Sequence, residues 1–104
     1  MNSSLSSSQL DILVVLSHQK SHGYAIMKSV DELHGTSKRL GPAQLYTGLE
    51  KLMNLGYVRE VKNTDPRKRI YELTSSGMQV AQEEVLRQQN FITKASSLLG
   101  MKYV

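Results

Sequence analysis

The sequence contains no cysteine, and this absence excludes several kinds of site at once. Disulfide bonds, metal sites with thiolate ligands and a cysteine nucleophile all need this residue. Long hydrophobic runs are also missing, because the longest strictly apolar segment extends only from Ile12 to Leu16. This run is far too short to span a bilayer, and no cation precedes it as a secretory signal requires. We therefore expect a cytoplasmic protein.

Acidic residues are the minority charge in this chain. Nine Asp and Glu residues face 13 Lys and Arg residues, which gives a formal net charge of +4. A net positive field attracts anionic partners, among which nucleic acid is the first candidate. The length of 104 residues fits one domain. This is near the lower limit of chain length at which a domain buries enough apolar surface to be stable by itself. Support from a second copy of the chain is therefore plausible.

Apolar residues recur at helical spacing in three segments of the first half. The first helix is predicted over residues 9–18, with Ser8 and Asp11 at the spacing of a capping box. The second is predicted to begin at a Ser21 cap and to end near residue 33. The third is predicted over residues 42–55, because proline is favoured in a first turn and a glycine follows its end.

After residue 56 the spacing of the apolar residues changes from the helical period to the two-residue period of a β-strand. The segments YVREVK and RIYELT alternate polar with β-branched or aromatic residues, and NTDP between them is typical of a turn. This pattern predicts a β-hairpin with a basic tip. A last helix of about 23 residues is predicted from a cap within residues 74–76. Its 3-4 spaced seam, apolar except for one glutamine, consists of Met78, Ala81, Val85, Gln88, Ile92, Ala95 and Leu99.

Three helices followed by a hairpin and a long helix give the order of a winged helix-turn-helix. The predicted fold class is mainly α with a small β-hairpin, that is, α+β. We expect residues 1–75 to form the winged-helix domain and residues 76–104 a dimerisation helix and tail, together in one compact unit. The last helix is too long for its apolar stripe to be covered by so small a domain, which favours a partner helix.

Positive charge is concentrated in the middle third of the chain. Between Gly35 and Tyr71 there are eight cations and only three acids, a local excess of +5. Cations in the loop before the third helix, on that helix and at the hairpin tip suit phosphate binding on both sides of a groove. The other interpretation is an ordinary solvated face. The cations are Lys38, Arg39, Lys51, Arg59, Lys62, Arg67, Lys68 and Arg69.

The third helix is predicted to carry a polar face opposite its leucines. Gln44 has the donor and acceptor pair that matches adenine in a major groove, and Thr47 offers a methyl group to thymine. Gly48 is assigned to the same face, where it would allow a close approach of the backbone at a cost of roughly 1 kcal/mol in helix stability. Tyr46 either packs into the core or turns its hydroxyl towards a phosphate.

Three sequence blocks resemble the PadR family of winged-helix transcriptional regulators. They are HGYAIMKSV (22–30), GPAQLYTGLEKLMNLGYV (41–58) and RKRIYELTSSG (67–77), and the resemblance covers about residues 8–80. It implies a dimer held by C-terminal helices across a two-fold axis, with recognition helices in major grooves and wings on the flanking backbone. The single C-terminal helix is similar to the small subgroup. Together with the charge pattern and the polar face of the third helix, the resemblance predicts these DNA-binding residues: Lys38, Arg39, Pro42, Ala43, Gln44, Tyr46, Thr47, Lys51, Arg67, Lys68 and Arg69.

The chain departs from the family pattern in two places. Gly41 stands where relatives carry Ser or Thr, so a side-chain cap and any phosphate contact through that hydroxyl are lost. The backbone N-H groups at this helix start still suit a phosphate. Some relatives bind planar aromatic ligands in the dimer cavity in part through tryptophan, which this chain lacks, although Phe91 and Met78 suit the lining of an apolar pocket.

Other chemistries have weaker support in the sequence. His18 and His22 have the i, i+4 spacing of metal ligands and His34 is a third candidate, but the break at residues 21–23 interrupts the helix that this spacing needs. We expect ordinary surface histidines and no metal. No phosphate-binding glycine loop, nucleophile elbow or suitably spaced acid pair occurs, so we expect neither an enzyme nor a cofactor.

The leading hypothesis is therefore a dimeric, sequence-specific repressor that binds double-stranded DNA at a pseudo-palindromic operator, at the nucleoid of a cell of prokaryotic type. One alternative is a winged-helix module that contacts protein. Another is a sensor that binds a small apolar effector at the dimer interface.

Overall fold

The computed structural model describes residues 5–36, 39–63, 65 and 67–101, and within them it contains four α-helices and one three-stranded antiparallel sheet. The order of helices and hairpin is the one predicted from the sequence. None of the helices in these ranges combines the length and the hydrophobicity that a membrane span requires. The elements are α1 (Ser7–His18), β1 (Ser21–His22), α2 (Gly23–His34), α3 (Pro42–Asn54), β2 (Val58–Val61), β3 (Ile70–Leu73) and α4 (Ser75–Leu98).

The capping box of α1 lies two residues before the predicted one. Ser6 Oγ accepts a hydrogen bond from the Gln9 N-H at 3.1 Å, and Gln9 Oε1 accepts one from the Ser6 N-H at 3.0 Å. The Ser8 and Asp11 prediction is therefore wrong. Ser-x-x-Gln satisfies the same two N-H groups as Ser-x-x-Asp, and Asp11 is buried and engaged elsewhere.

A short strand, β1, precedes α2 and was not predicted. Ser21 pairs with Tyr71 and His22 with Ile70, so the sheet has the order β1-β3-β2. Ser21 is not the cap of α2, because its hydroxyl donates to the Gln19 carbonyl at 3.2 Å. His22 takes that position instead, since its Nδ1 accepts a hydrogen bond from the Ala25 N-H at 3.4 Å. The wing proper is β2 and β3, which pair from Val58 with Leu73 to Val61 with Ile70.

The core lies between the three N-terminal helices, β2 and β3 and the first turns of α4. Tyr71 is 1% exposed and is the largest of the fully buried side chains. The loop residue Leu40, 3% exposed, anchors the approach to α3 in this core. The buried apolar residues are Leu10, Ile12, Leu13, Leu16, Ile26, Val30, Leu40, Leu45, Leu49, Leu52, Val58, Tyr71 and Ala81.

Gly48 lies on the buried face of α3, so its assignment to the polar face was wrong. A Cβ atom at this position would lie 3.0 Å from Ile12 Cδ1. The missing side chain thus lets α1 and α3 approach each other closely. Close packing of the two helices is therefore a sufficient reason for a glycine inside α3, and no contact with a ligand is needed to explain it.

Thr74 caps α4 and ties it to the end of α3. Its Oγ1 accepts a hydrogen bond from the Gly77 N-H at 3.1 Å, while its hydroxyl donates to the Gly56 carbonyl at 2.7 Å. Gly56 itself has φ +83°, a left-handed conformation that favours glycine. The predicted start of the last helix within residues 74–76 is confirmed.

Gly77→Ala is expected to lower the free energy of unfolding by about 2–3 kcal/mol, because the new methyl group overlaps its surroundings. A Cβ atom there would overlap the Tyr57 carbonyl oxygen and lie 2.7 Å from Leu73 Cδ1. The backbone carbonyl cannot move without distorting the start of α4, so alanine's intrinsic helix advantage of about 1 kcal/mol is outweighed. Urea unfolding followed by circular dichroism measures the change. Ser76→Ala, at an exposed neighbouring position, is the control, and an equal unfolding midpoint for both variants would contradict this packing.

Candidate nucleic-acid interface

The solvent-facing side of α3 forms a ridge opposite its buried leucines. Leu45, Leu49 and Leu52 point into the core. Because of the 3.6-residue period, the ridge opposite them includes the exposed residues Ala43 and Thr47. Two further exposed residues of this ridge, Glu50 and Asn54, were not among the predicted DNA-binding residues, although the same helical period places them there.

The two flanks of this ridge contact different parts of the fold. On one flank, Gln44 is exposed and its Nε2 donates a hydrogen bond to Ser8 Oγ at 3.1 Å, so α1 orients this amide. On the other flank, the Tyr46 hydroxyl lies against the start of α2. A Cβ atom at Gly23 would lie 2.5 Å from the Tyr46 oxygen. Glycine at position 23 therefore makes room for the tyrosine hydroxyl.

Tyr46 is 49% exposed and is not a core residue. Its ring and hydroxyl line a surface pocket of about 240 Å³. This pocket brings together the start of α2, the middle of α3 and the basic end of the wing. Its lining consists of His22, Gly23, Tyr24, Tyr46, Arg67, Lys68 and Arg69.

The wing cations differ in how strongly they are already paired. The Arg67 Nε lies 3.2 Å from Asp65 Oδ1, and the Arg67 N-H also donates to that oxygen at 3.0 Å. The backbone hydrogen bond, followed by the side-chain one, lowers the pKa of the Asp65 carboxyl group. Lys68 is exposed and, within the ranges that the structure describes, makes no ion pair. Of Arg67, Lys68 and Arg69, it is the one that forms no ion pair among the described residues.

Arg69 faces the sheet as well as the pocket. Its Nε lies 3.5 Å from Glu60 Oε2 on the neighbouring strand. Burial raises the pKa of the Tyr71 hydroxyl, and a hydrogen bond with the Arg69 side chain partly offsets that rise. Residues two positions apart on a strand share a face, which explains why the Arg69 side chain reaches the Tyr71 hydroxyl.

The cations before and within α3 are arranged less uniformly. Lys51 is exposed on α3. The Arg39 side chain is turned towards α1, with its Nε 3.6 Å from Asp11 Oδ2. Pro42 begins α3, and Gly41 provides no side-chain cap, as predicted from its departure from the family pattern. The predicted contact at Lys38 lies outside the described residues.

Most residues of the predicted seam of α4 lie at its surface. Met78, Val85, Ile92 and Leu99 are 36%, 41%, 49% and 73% exposed. Ala81, in contrast, is 5% exposed and belongs to the core of the chain itself. Gln88 is exposed and Ala95 is half-buried. An apolar groove of about 390 Å³ runs between α1 and α4, lined by Val14, Ser17, Met78, Ala81, Gln82, Val85, Leu86 and Gln89.

A sequence model of the transcriptional regulator PadR-like family matches residues 12–83 of this chain. The chain belongs to the PadR-like family. This confirms the resemblance, the winged-helix class and the prediction that the protein is a transcriptional regulator and not an enzyme. No curated protein sequence matches the chain significantly.

Solved structures that resemble this PadR-like chain share its fold. RosR from H. salinarum, in the complex named hsRosR-S4, superposes on this chain with a TM-score of 0.69. The identity is 24%, and the match covers 91% of this chain and 92% of that one. A transcriptional regulator from Clostridium thermocellum gives 0.72 at 18% identity over 88% of each chain. The zinc-responsive MarR family member ZitR from Lactococcus lactis gives 0.70 at 23% identity, over 94% of this chain and 63% of that one.

The histidines of this PadR-like chain have separate environments. His22 caps α2, and His34 contacts Asp11 with 2.8 Å between Nε2 and Oδ1. In the part of the chain that the structure describes, no group of three or more His, Asp or Glu residues is arranged to hold a metal ion.

Proposed function

We propose that this PadR-like protein is a homodimeric repressor that binds double-stranded DNA sequence-specifically. The observation that carries the proposal is the basic pocket formed by the start of α2, Tyr46 of α3 and the wing. It lies beside the exposed ridge of α3, so a duplex lying along that ridge would bring its backbone to the pocket. Phosphate contacts fix the position of a protein on DNA, and base contacts from a neighbouring helix then read the sequence.

Backbone binding in this proposal rests mainly on the wing. Lys68 is the leading phosphate contact, because among the described residues it forms no ion pair, whereas Arg67 and Arg69 do. Arg67 and Arg69 contribute after exchanging Asp65 and Glu60 for phosphate oxygens. The Tyr46 hydroxyl donates from α3, and Pro42 brings the N-terminal end of that helix close to the backbone.

Base reading in this proposal rests on Ala43, Gln44, Thr47 and Lys51, all of which are exposed on α3. The Gln44 amide has the geometry for adenine, and its hydrogen bond to Ser8 holds it in one orientation before DNA arrives. Apolar contact with a thymine methyl group suits Ala43 and Thr47.

Gln44→Ala is expected to change the preference among duplex sequences while leaving the salt dependence of binding unaltered. The reason is that the amide reads a base edge and neutralises no phosphate, so its loss costs about 1–3 kcal/mol of discrimination at one base position. Selection from a random duplex library, compared with wild type, measures the preference. Gln79→Ala on α4 removes the same side chain far from the ridge and should select the wild-type sequences. Identical selections for wild type and Gln44→Ala would contradict the assignment.

Dimerisation in this proposal uses α4, in keeping with a division of labour between residues 1–75 and residues 76–104. The exposed residues of the seam, Met78, Val85, Ile92 and Leu99, need a partner surface, and Ala81 is excluded because its own core already covers it. The groove between α1 and α4 is continuous with this seam. We therefore assign the groove to the helix of a second copy and not to a small apolar effector.

A two-fold dimer predicts a pseudo-palindromic operator with half-sites about one helical turn apart, roughly 34–36 Å. Occupation of a promoter by such a dimer excludes other proteins from it, which is the basis for proposing repression.

A salt titration of duplex binding by the wild-type protein tests the proposal against the alternative of a module that contacts only protein. DNA binding through phosphates requires the logarithm of the affinity to fall with the logarithm of the salt concentration, with a slope of about −0.9 for each neutralised phosphate. Absence of duplex binding at low salt, or an affinity independent of salt, would favour the protein-contact module.

A further inference from the structure

Asp11 is the one charged residue in the buried class among the residues that the structure describes. It lies in α1, and its carboxylate contacts two side chains from another part of the fold, those of His34 and Arg39. Oδ1 is 2.8 Å from His34 Nε2, and Oδ2 is 3.6 Å from Arg39 Nε. A buried carboxylate is costly unless such groups compensate it, so this arrangement needs an explanation.

The two partners of Asp11 flank the turn between α2 and α3. His34 is the last residue of α2, and Arg39 lies three positions before the start of α3. A second contact holds Arg39, because its N-H donates a hydrogen bond to the side chain of Asp31 in α2, with 2.7 Å to Oδ1. Leu40 then enters the core. One carboxylate of α1 thus contacts a residue at the end of α2 and a residue shortly before α3.

Pairing with Asp11 also changes what Arg39 is able to do. The Arg39 side chain remains 40% exposed, but its guanidinium is directed towards the carboxylate of α1. To reach a DNA phosphate it would have to leave Asp11 with one partner fewer in a buried position. Removing a partner from a buried charge is strongly unfavourable.

We infer that Asp11 is a positioning residue for the recognition helix α3, and that Arg39 is its structural partner and not a phosphate contact. The inference rests on the proposed function, since it concerns DNA binding by α3. It reassigns Arg39, which the charge pattern of the sequence had placed among the phosphate contacts. Recognition side chains need supporting residues that hold them within about 0.5 Å of the productive geometry, and Asp11 supplies this support from α1.

The test compares the variants Arg39→Ala, Asp11→Asn and their combination with wild type. The probe is the duplex that the wild-type protein selects from a random library, and the affinity is measured by fluorescence anisotropy from about 0.05 to 0.3 M KCl. Lys68→Ala is the control for loss of a true phosphate contact. It should flatten the salt slope by about 0.9 per protomer.

Arg39→Ala is expected to weaken binding about tenfold with the salt slope of wild type, because the helix is displaced while the number of phosphate contacts stays the same. Asp11→Asn is expected to weaken binding similarly, and the double variant no more than either single variant, because both changes break one interaction. If Asp11→Asn does not fold, the salt slope of Arg39→Ala decides alone, since Arg39 lies outside the core.

A slope for Arg39→Ala that flattens as much as that of Lys68→Ala would overturn the inference, because Arg39 would then be a phosphate contact. Wild-type affinity in Arg39→Ala, or in a folded Asp11→Asn variant, would overturn it as well. Failure of the wild-type protein to bind any duplex is a different result. It would contradict the proposed function and, with it, the positioning role.

Discussion

Ile92→Glu is expected to convert the proposed dimer to a monomer and to lower the affinity for the selected duplex by at least about a hundredfold. Ile92 is 49% exposed in the single chain and lies in the C-terminal half of α4, within the seam. A charge here would have to be buried against the partner helix without a compensating cation, which costs several kcal/mol. The proposed dimer would gain its DNA affinity from two linked half-site contacts, an advantage of about 10² to 10⁴ that a monomer loses.

The fold of the protomer should survive this substitution, because Ile92 is not part of the buried core. Sedimentation equilibrium measures the mass, and circular dichroism monitors the helix content. Asn90→Glu is the matched control, since it places the same charge on the same helix but on the side that the helical period turns away from the seam. A dimer that persists in Ile92→Glu, or one that is lost in Asn90→Glu, would refute the assignment of α4.

Replacing Arg67, Lys68 and Arg69 together by Ala is expected to weaken binding to all duplexes alike, by about two orders of magnitude at low salt. The proposed dimer would lose six cations assigned to the DNA backbone, and with them the release of counterions that drives association. The slope against salt should flatten by less than the full value of about 2.7 per protomer. The reason is that Asp65 and Glu60 already neutralise part of the charge of the two arginines.

Single lysine substitutions test whether the effect on DNA binding comes from the position of the charge in the wing or only from the loss of a positive charge. Lys68→Ala and Lys94→Ala remove the same charge, the first from the pocket beside α3 and the second from the exposed surface of α4. Only Lys68→Ala should flatten the slope, whereas Lys94→Ala should leave both slope and affinity close to wild type. If the triple variant changed its sequence preference while the salt slope of its affinity stayed the same, the wing would contact bases and not the phosphate backbone.

The long helices were predictable from the sequence because many apolar residues in each of them recur at the same helical spacing. The third helix was predicted over residues 42–55 and is observed as Pro42–Asn54. The strands of the wing followed equally well from alternation. Strand β1 could not be predicted in this way, because two residues contain no period and the strand exists only through its pairing with β3.

The errors concern residues whose role depends on a distant partner. Gly48 lies near the boundary of the helical face, and only the position of Ile12 shows that it permits close packing. Asp11 was interpreted as a local cap, whereas its contacts come from residues 34 and 39, more than twenty positions away. Chain proximity favours the local interpretation in such cases, and only the packed structure identifies the partner. The DNA-binding and dimerisation residues themselves remain predictions.

The most direct test of the account is the set of duplexes that the wild-type protein selects from a random library. A homodimer that reads DNA through α3 should enrich one motif with two inverted half-sites, whose centres lie about one helical turn apart. A library that stays random after selection, or a motif without two-fold symmetry, would contradict the account.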